Sequence, residues 1–256
     1  MISRSATWPD DTSMVLCTFK SLIECGIDYT DQMSRFEKWL WRGSNTAHNE
    51  VFGVGVSVKL KDRFFTLPRE DCFRMRRKGR VYLRKWFVNA SIPDLIGKND
   101  VDKIDDQTTE IIHNTSKCTY QHPKCQMACG ILFSVIISLS KGDNLQAAIK
   151  EGVYNALKYY RRKPKFTAAY NEFAFLLNID QWNEDEIKSS AYVVDTLQAS
   201  LWCLYMSASY SECVLKAVNL GENTDTIGAL FGAVAGMWFG EGVIPAEWQE
   251  VTGEVL

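Results

Sequence analysis

The chain lacks a strong charge excess, a membrane-length apolar run and all but a few alternating strand patterns. It has 29 lysines and arginines against 31 aspartates and glutamates, a formal net charge of −2. So balanced a chain has no global field to attract nucleic acid or an anionic membrane, and neither partner is expected. The strongly apolar runs at 128–139 and 227–240 fall short of the roughly 20 residues that cross a bilayer. The opening stretch MISRSATWPDD has no apolar signal core, so a soluble, cytoplasmic protein is expected. There is no internal repeat and no low-complexity linker. Histidine is scarce, at three residues; His48 and His113 stand isolated and are assigned no chemistry.

What is present is an ordinary globular composition, 46% hydrophobic and 23% charged over 256 residues. Of the cysteines Cys17, Cys25, Cys72, Cys118, Cys125, Cys129, Cys203 and Cys213, most sit in apolar helical patterns. Without a secretion signal their even number does not imply disulfides. Cys118, His122, Cys125 and Cys129 are of the right types for zinc. Their spacing is not a common finger pattern, so buried free thiols are expected.

The dominant period is helical. Apolar stripes mark helices at 13–26, 31–41, 125–140, 143–162 with Asp143 as a possible cap, 189–207, 209–221 and 226–240. The 125–140 segment is apolar nearly all round and reads as a buried central helix. The tryptophans Trp39, Trp41, Trp202 and Trp238 fall on helical stripes and are expected in the core. Glu184, Asp185 and Glu186 read as a solvated helix start. The only strand candidates are 51–60 and 80–88. An all-α fold of eight to ten helices follows, as one domain over 1–256 with an irregular, insert-like region at about 61–104. Within that region FRMRRKGRVYLRK, residues 73–85, holds seven basic residues. It fits either a phosphate- or nucleic-acid-binding patch or a solvated connector, and the connector is expected.

Two acidic motifs stand out. WPDDTSM places Asp10 and Asp11 at the start of a helix, and GENTDTIG places Asn223, Asp225 and Thr226 at the start of another. Capping explains acid at a helix start, though neighbouring like charges repel. Alternatively, the two segments meet and their oxygens hold one or two hard cations, Mg²⁺ or Mn²⁺. Gly228, Gly232, Gly236 and Gly240 follow at intervals of four. Each interior glycine costs a helix about 1 kcal/mol against alanine. The expected return is close backbone approach along one stripe, fixing the preceding loop rigidly.

Together these motifs resemble the ADP-ribosylglycohydrolase family. PDDTSM is similar to its T/S-D-D-T-x-M motif, and GENTDTIG to its G-x-D-T/A-D-T motif with the Gly/Ala helix that follows. SSAYVVDTLQASLWCL resembles its S-G-Y-V-V-D-T-L-E-A-A-L-W segment, and HNTSKCTYQHP its S-A-x-T-H-x-H-P segment, in the family's order. The resemblance implies a compact multi-helix domain that hydrolyses the bond between ADP-ribose and a protein side chain or small adduct. It implies two Mg²⁺ or Mn²⁺ ions on Asp10, Asp11, Asn223, Asp225 and Thr226, with His122 and Tyr192 binding substrate. ADP-ribose or an ADP-ribosylated protein is the implied partner, and a monomer is expected.

Several positions depart from the family pattern. Pro9 stands where a threonine would ligate, and Asn223 where an aspartate would. One negative charge is thereby lost, so weaker binding or a single occupied site is expected. VFGVG places Gly53 at the position of a base in V-F-D-I-G, with Glu50 nearby. The G-N-G-x-x-M-R loop has no match, Tyr120 replaces a histidine, and the helix carrying G-D-x-x-G would lie before residue 8. Catalytic residues are therefore left unassigned. The alternative expectation is an impaired family member that binds metal or ADP-ribose without hydrolysis.

Overall fold

The computed structural model describes residues 8, 10–51 and 101–252, with the side chains of 231, 251 and 252 excepted. Pro9, Gly53, Cys72, the strand candidates beyond residue 51 and the basic run at 73–85 lie outside the described residues. Among those described there is no strand, and the fold is all-α.

Local sequence sets most helix ends. Helix α1 (Asp10–Cys25) begins on the paired aspartates rather than after them. Asp28 caps α2 (Tyr29–Arg42) by accepting from the Thr30 and Asp31 amides, and Gly43 ends it at φ 65°. Asp105 and Thr108 form a reciprocal capping box on α3 (Asp106–Lys117). Pro123 opens α4 (Pro123–Lys141), where its missing N–H does no harm. The cap of α5 (Leu145–Tyr160) is Asn144, whose side chain accepts from the Ala147 amide. Asp143, the expected cap, sits one residue too early.

Short α6 (Thr167–Phe173) leads through irregular 3₁₀ turns, including an exposed Glu184–Glu186 turn, to α7 (Val193–Tyr205). The 189–207 segment is thus helical only from Val193, and residues 189–192 form a loop. Then follow α8 (Tyr210–Asn219), α9 (Thr224–Phe239) and α10 (Ala246–Thr252).

Helix α4 is the centre of the main core, with buried residues on every side. It is long and apolar enough to cross a membrane by length and composition alone, but 83% of its apolar window is buried within the fold. It packs most extensively on α5. There Gly152 is what permits the approach: a Cβ at that position would lie 2.4 Å from Val135 Cα. On the other side, a Cβ at Gly130 would lie 1.8 Å from the Tyr160 hydroxyl.

The regularly spaced glycines of α9 do not play the expected part. A Cβ at Gly232 would meet only Tyr210, at 3.6 Å, and one at Gly228 would meet nothing within 4 Å among the described residues. What holds α9 in the core is the face of Ile227, Leu230 and Val234, with Ala235 buried beside it. A second, smaller cluster of Met14, Cys17, Phe36, Trp39 and Cys118 joins α1, α2 and the end of α3. Trp202 is also buried, whereas Trp41 is 57% exposed and departs from the core expectation.

Candidate metal centre

The N-terminal ends of α1 and α9 meet. Ligand-capable oxygens of Asp10, Asp11 and Asp225 all lie within 4.8 Å of one another. Asp10 and Asp11 are buried, at 2% and 0% exposure, and Asp225 is exposed. Thr226, also fully buried, donates its hydroxyl hydrogen bond to Asp11 Oδ2. Each motif shows the same local bond: Asp10 Oδ1 accepts from the Asp11 amide at 3.0 Å, and Asp225 Oδ1 from the Thr226 amide at 2.8 Å.

At α9, helix capping does not account for this arrangement. The N-cap residue of α9 is Asn223, and its side chain makes no cap bond; Asp225 lies one position inside the helix. The positive ends of two helix dipoles converge on the acids and offset part of their mutual repulsion. An all-oxygen set of three carboxylates and a hydroxyl, two of the carboxylates buried, suits a hard divalent cation. Chemically, the residues present fit such an ion.

Asn223 is the N-cap residue of α9, two positions before Asp225. Its side-chain amide and its backbone amide both donate to the Ser189 carbonyl, at 3.3 and 3.4 Å. Ser189 in turn donates its hydroxyl to the Leu220 carbonyl at 3.1 Å. These bonds tie the 189–192 loop, which carries Tyr192, to the loop that opens α9.

Tyr192 and His122 belong to one polar group. The Tyr192 hydroxyl donates to Glu172 Oε2 and accepts from Lys124 Nζ at 2.8 Å. Lys124 also pairs with Glu172 at 2.5 Å, and its ammonium lies 5.3 Å from the Tyr192 ring centroid. The His122 ring accepts the Lys124 amide through Nδ1 at 3.2 Å. Partial desolvation works against Glu172, but the Lys124 and Tyr192 hydrogen bonds prevail and hold its carboxyl below the usual range. Sequence reasoning missed Lys124 and Glu172. Only the placement of Lys124 two residues after His122 hinted at the first.

The remaining candidates fall elsewhere. Among the described residues, Cys118, His122, Cys125 and Cys129 form no metal-capable group. Cys125 is fully buried, and burial raises its thiol well above the ordinary value, with Cys129 adding to the effect. Glu50 is exposed and outside the acidic cluster. Tyr120 is buried.

Comparison with known proteins places these features in context. The family model described as ADP-ribosylglycohydrolase matches residues 2–255. The ADP-ribosylarginine hydrolases Tri1 of Serratia proteamaculans (strain 568) and Pseudomonas putida (strain GB-1) are 26% and 25% identical to this chain. The matches cover 94% and 95% of this chain but 62% of each relative. The chain thus spans less than two thirds of the length of these curated relatives. The ADP-ribosyl-[dinitrogen reductase] glycohydrolase of Rhodospirillum rubrum is 29% identical over 52% of this chain and 39% of its own. A solved structure titled ADP-ribosylglycohydrolase-related protein complex superposes with a TM-score of 0.70. That superposition covers 97% of this chain and 77% of the other at 21% identity, a likeness of fold.

Proposed function

The chain belongs to the ADP-ribosylglycohydrolase family, and from that membership we propose that it hydrolyses the glycosidic bond joining ADP-ribose to a protein side chain. We assign Asp10, Asp11, Asp225 and Thr226 to hold Mg²⁺ or Mn²⁺. One observation carries the reading: residues from opposite ends of the chain form a single oxygen-lined cluster. Such an ion, when bound, supplies Lewis-acid polarisation at the reacting centre.

The chain's own residues divide the remaining work. The buried Asp10 and Asp11, fixed by the Asp11 amide and the Thr226 hydroxyl, give the site its rigid side. Asp225 is its solvent-facing member, on the side open to substrate. Tyr192 and His122 are assigned to substrate contact. The Lys124–Glu172 pair orients the Tyr192 hydroxyl. Asn223 keeps the Tyr192 loop against the metal-binding loop.

Arginine-linked ADP-ribose is the substrate proposed first, because two relatives matched over nearly the whole chain carry that activity in their names. The test is release of ADP-ribose from an ADP-ribosylated arginine peptide with Mn²⁺ or Mg²⁺, compared with Asp225→Ala. Release by the native protein and its loss in the variant are expected. Tight ADP-ribose binding with no release from arginine or serine linkages would replace hydrolysis with binding alone.

A further inference from the structure

A cavity of about 560 Å³ opens between the C-terminal half of α4, the facing side of α5 and the segment 102–104. It shares no lining residue with the acidic cluster or with the His122–Tyr192 group. Ser138 on its wall lies about 24 Å along α4 from His122, at 1.5 Å per residue. Its volume is in the range of small-molecule sites.

The lining has a definite chemistry. Five cationic side chains face two acids, Asp102 and Glu151. Two of the cations are engaged: Lys163 pairs with Asp106 at 2.6 Å, and Lys141 donates to the Asp102 carbonyl at 2.5 Å. The other three, Lys103, Lys158 and Arg162, form no ion pair among the described residues, though the Lys158 ammonium lies 5.6 Å from the Tyr154 ring centroid. Two hydroxyl residues, Ser134 and Ser138, line the same cavity at 3% and 7% exposure. Neither hydroxyl has a hydrogen-bond partner among the described residues. Both hydroxyl oxygens are accessible from the cavity rather than sealed in the core, so they can donate to a ligand rich in acceptors. Ile104, Ile137 and the Tyr159 ring supply an apolar and aromatic wall.

The geometry points to a second binding site, for a phosphate-bearing small molecule. Lysine and arginine charges meet the phosphate oxygens, with arginine offering a forked donor set. The serine hydroxyls donate from the floor, and the aromatic wall takes the uncharged part of the ligand. This assignment is independent of the proposed hydrolase activity.

Calorimetric titration with ADP, in metal-free and phosphate-free buffer, tests it. ADP is expected to bind, inorganic pyrophosphate to displace it, and added salt to weaken it. Lys158 and Arg162 are exposed, so the double variant Lys158→Ala/Arg162→Ala should fold and should bind at least tenfold more weakly. Asp225→Ala should leave metal-free ADP binding unchanged. The proposal is overturned by absence of binding at millimolar ADP, by failure of pyrophosphate to compete, by indifference to the double variant, or by loss of binding in Asp225→Ala.

Discussion

The Thr226 hydroxyl donates a hydrogen bond to the Asp11 carboxylate across 215 residues of sequence, with both side chains fully buried. This bond ties α1 to α9 at the point where their charges meet. Thr226→Val keeps the shape and removes the donor. Loss of a donor to a buried charged group costs about 1–3 kcal/mol. The unfolding midpoint in urea should fall accordingly, and Thr226→Ser should restore most of it. Equal midpoints for all three proteins would show that the bond contributes nothing to holding the helices together.

Asp225 is the member of the cluster best suited to separating metal binding from folding, because it is exposed. Asp225→Ala should leave the circular dichroism spectrum and unfolding midpoint nearly unchanged. Mn²⁺ affinity, read by calorimetry, should fall about tenfold or more, since even outer-shell changes at metal sites cost on the order of 10–100-fold. Asp11→Asn should weaken Mn²⁺ as well. If neither variant alters Mn²⁺ binding, the carboxylates are not ligands.

The helical period and the two acidic motifs were legible because both are local signals. Apolar stripes gave α4, α5 and α7 their buried faces, and the stripe Val194, Leu197, Leu201 and Leu204 is buried as its spacing implies. Helix ends were less legible: Asn144 and Asp143 are adjacent and chemically alike as caps, and only backbone geometry chooses between them. Apart from the meeting of the two acidic motifs, contacts between distant segments left no trace. Lys124 and Glu172 meet through tertiary packing, and nothing in either neighbourhood names the other. Glycine spacing misled for the same reason. A period of four fixes which face of α9 is small, but not whether another backbone lies against it.

That distinction between small and closely packed glycines is measurable. Gly152→Ala would drive a methyl carbon to 2.4 Å from the Val135 backbone, so the helices must part. A destabilisation of about 1–3 kcal/mol, typical of overpacking, is expected. Gly232→Ala places its methyl at ordinary contact, 3.6 Å from the Tyr210 hydroxyl. There the gain in helix propensity should stabilise by about 0.5–1 kcal/mol. Urea titration of both variants decides the matter, and equal losses at the two sites would restore a packing role to the α9 glycines.

Glu172 and Tyr192 supply a test of substrate orientation that differs from one of folding. Tyr192→Phe removes the hydroxyl shared by Glu172 and Lys124 but leaves their ion pair intact. Glu172→Gln keeps an acceptor and removes the charge. With an ADP-ribosylated arginine peptide, both variants should raise KM by about 5–10-fold, the loss of one hydrogen bond of about 1 kcal/mol. Unfolding midpoints should hold. A fall in stability with unchanged KM would make the group a structural brace between α4, α6 and the 189–192 loop.

His113 provides a pH test of the core. It is buried on α3, with Nε2 2.8 Å from the Tyr160 hydroxyl. Burial, with the nearby charges of Lys165 and Lys117, pushes its pKa down to about 3. In the unfolded chain the imidazole titrates near the ordinary value of about 6.5. Above that pH both states are neutral and the group has no pH effect. As pH falls below it, the unfolded state binds a proton that the folded state refuses, and stability declines by about 1.4 kcal/mol per pH unit toward pH 3. Replacement by glutamine retains a hydrogen-bonding group and removes the titration. Between pH 7 and pH 5 the native protein should therefore lose about 2 kcal/mol more than His113→Gln, in urea unfolding at fixed ionic strength. Parallel pH dependences would mean that the imidazole accepts its proton within the folded core, with Tyr160 and Phe166 moving to admit the charge.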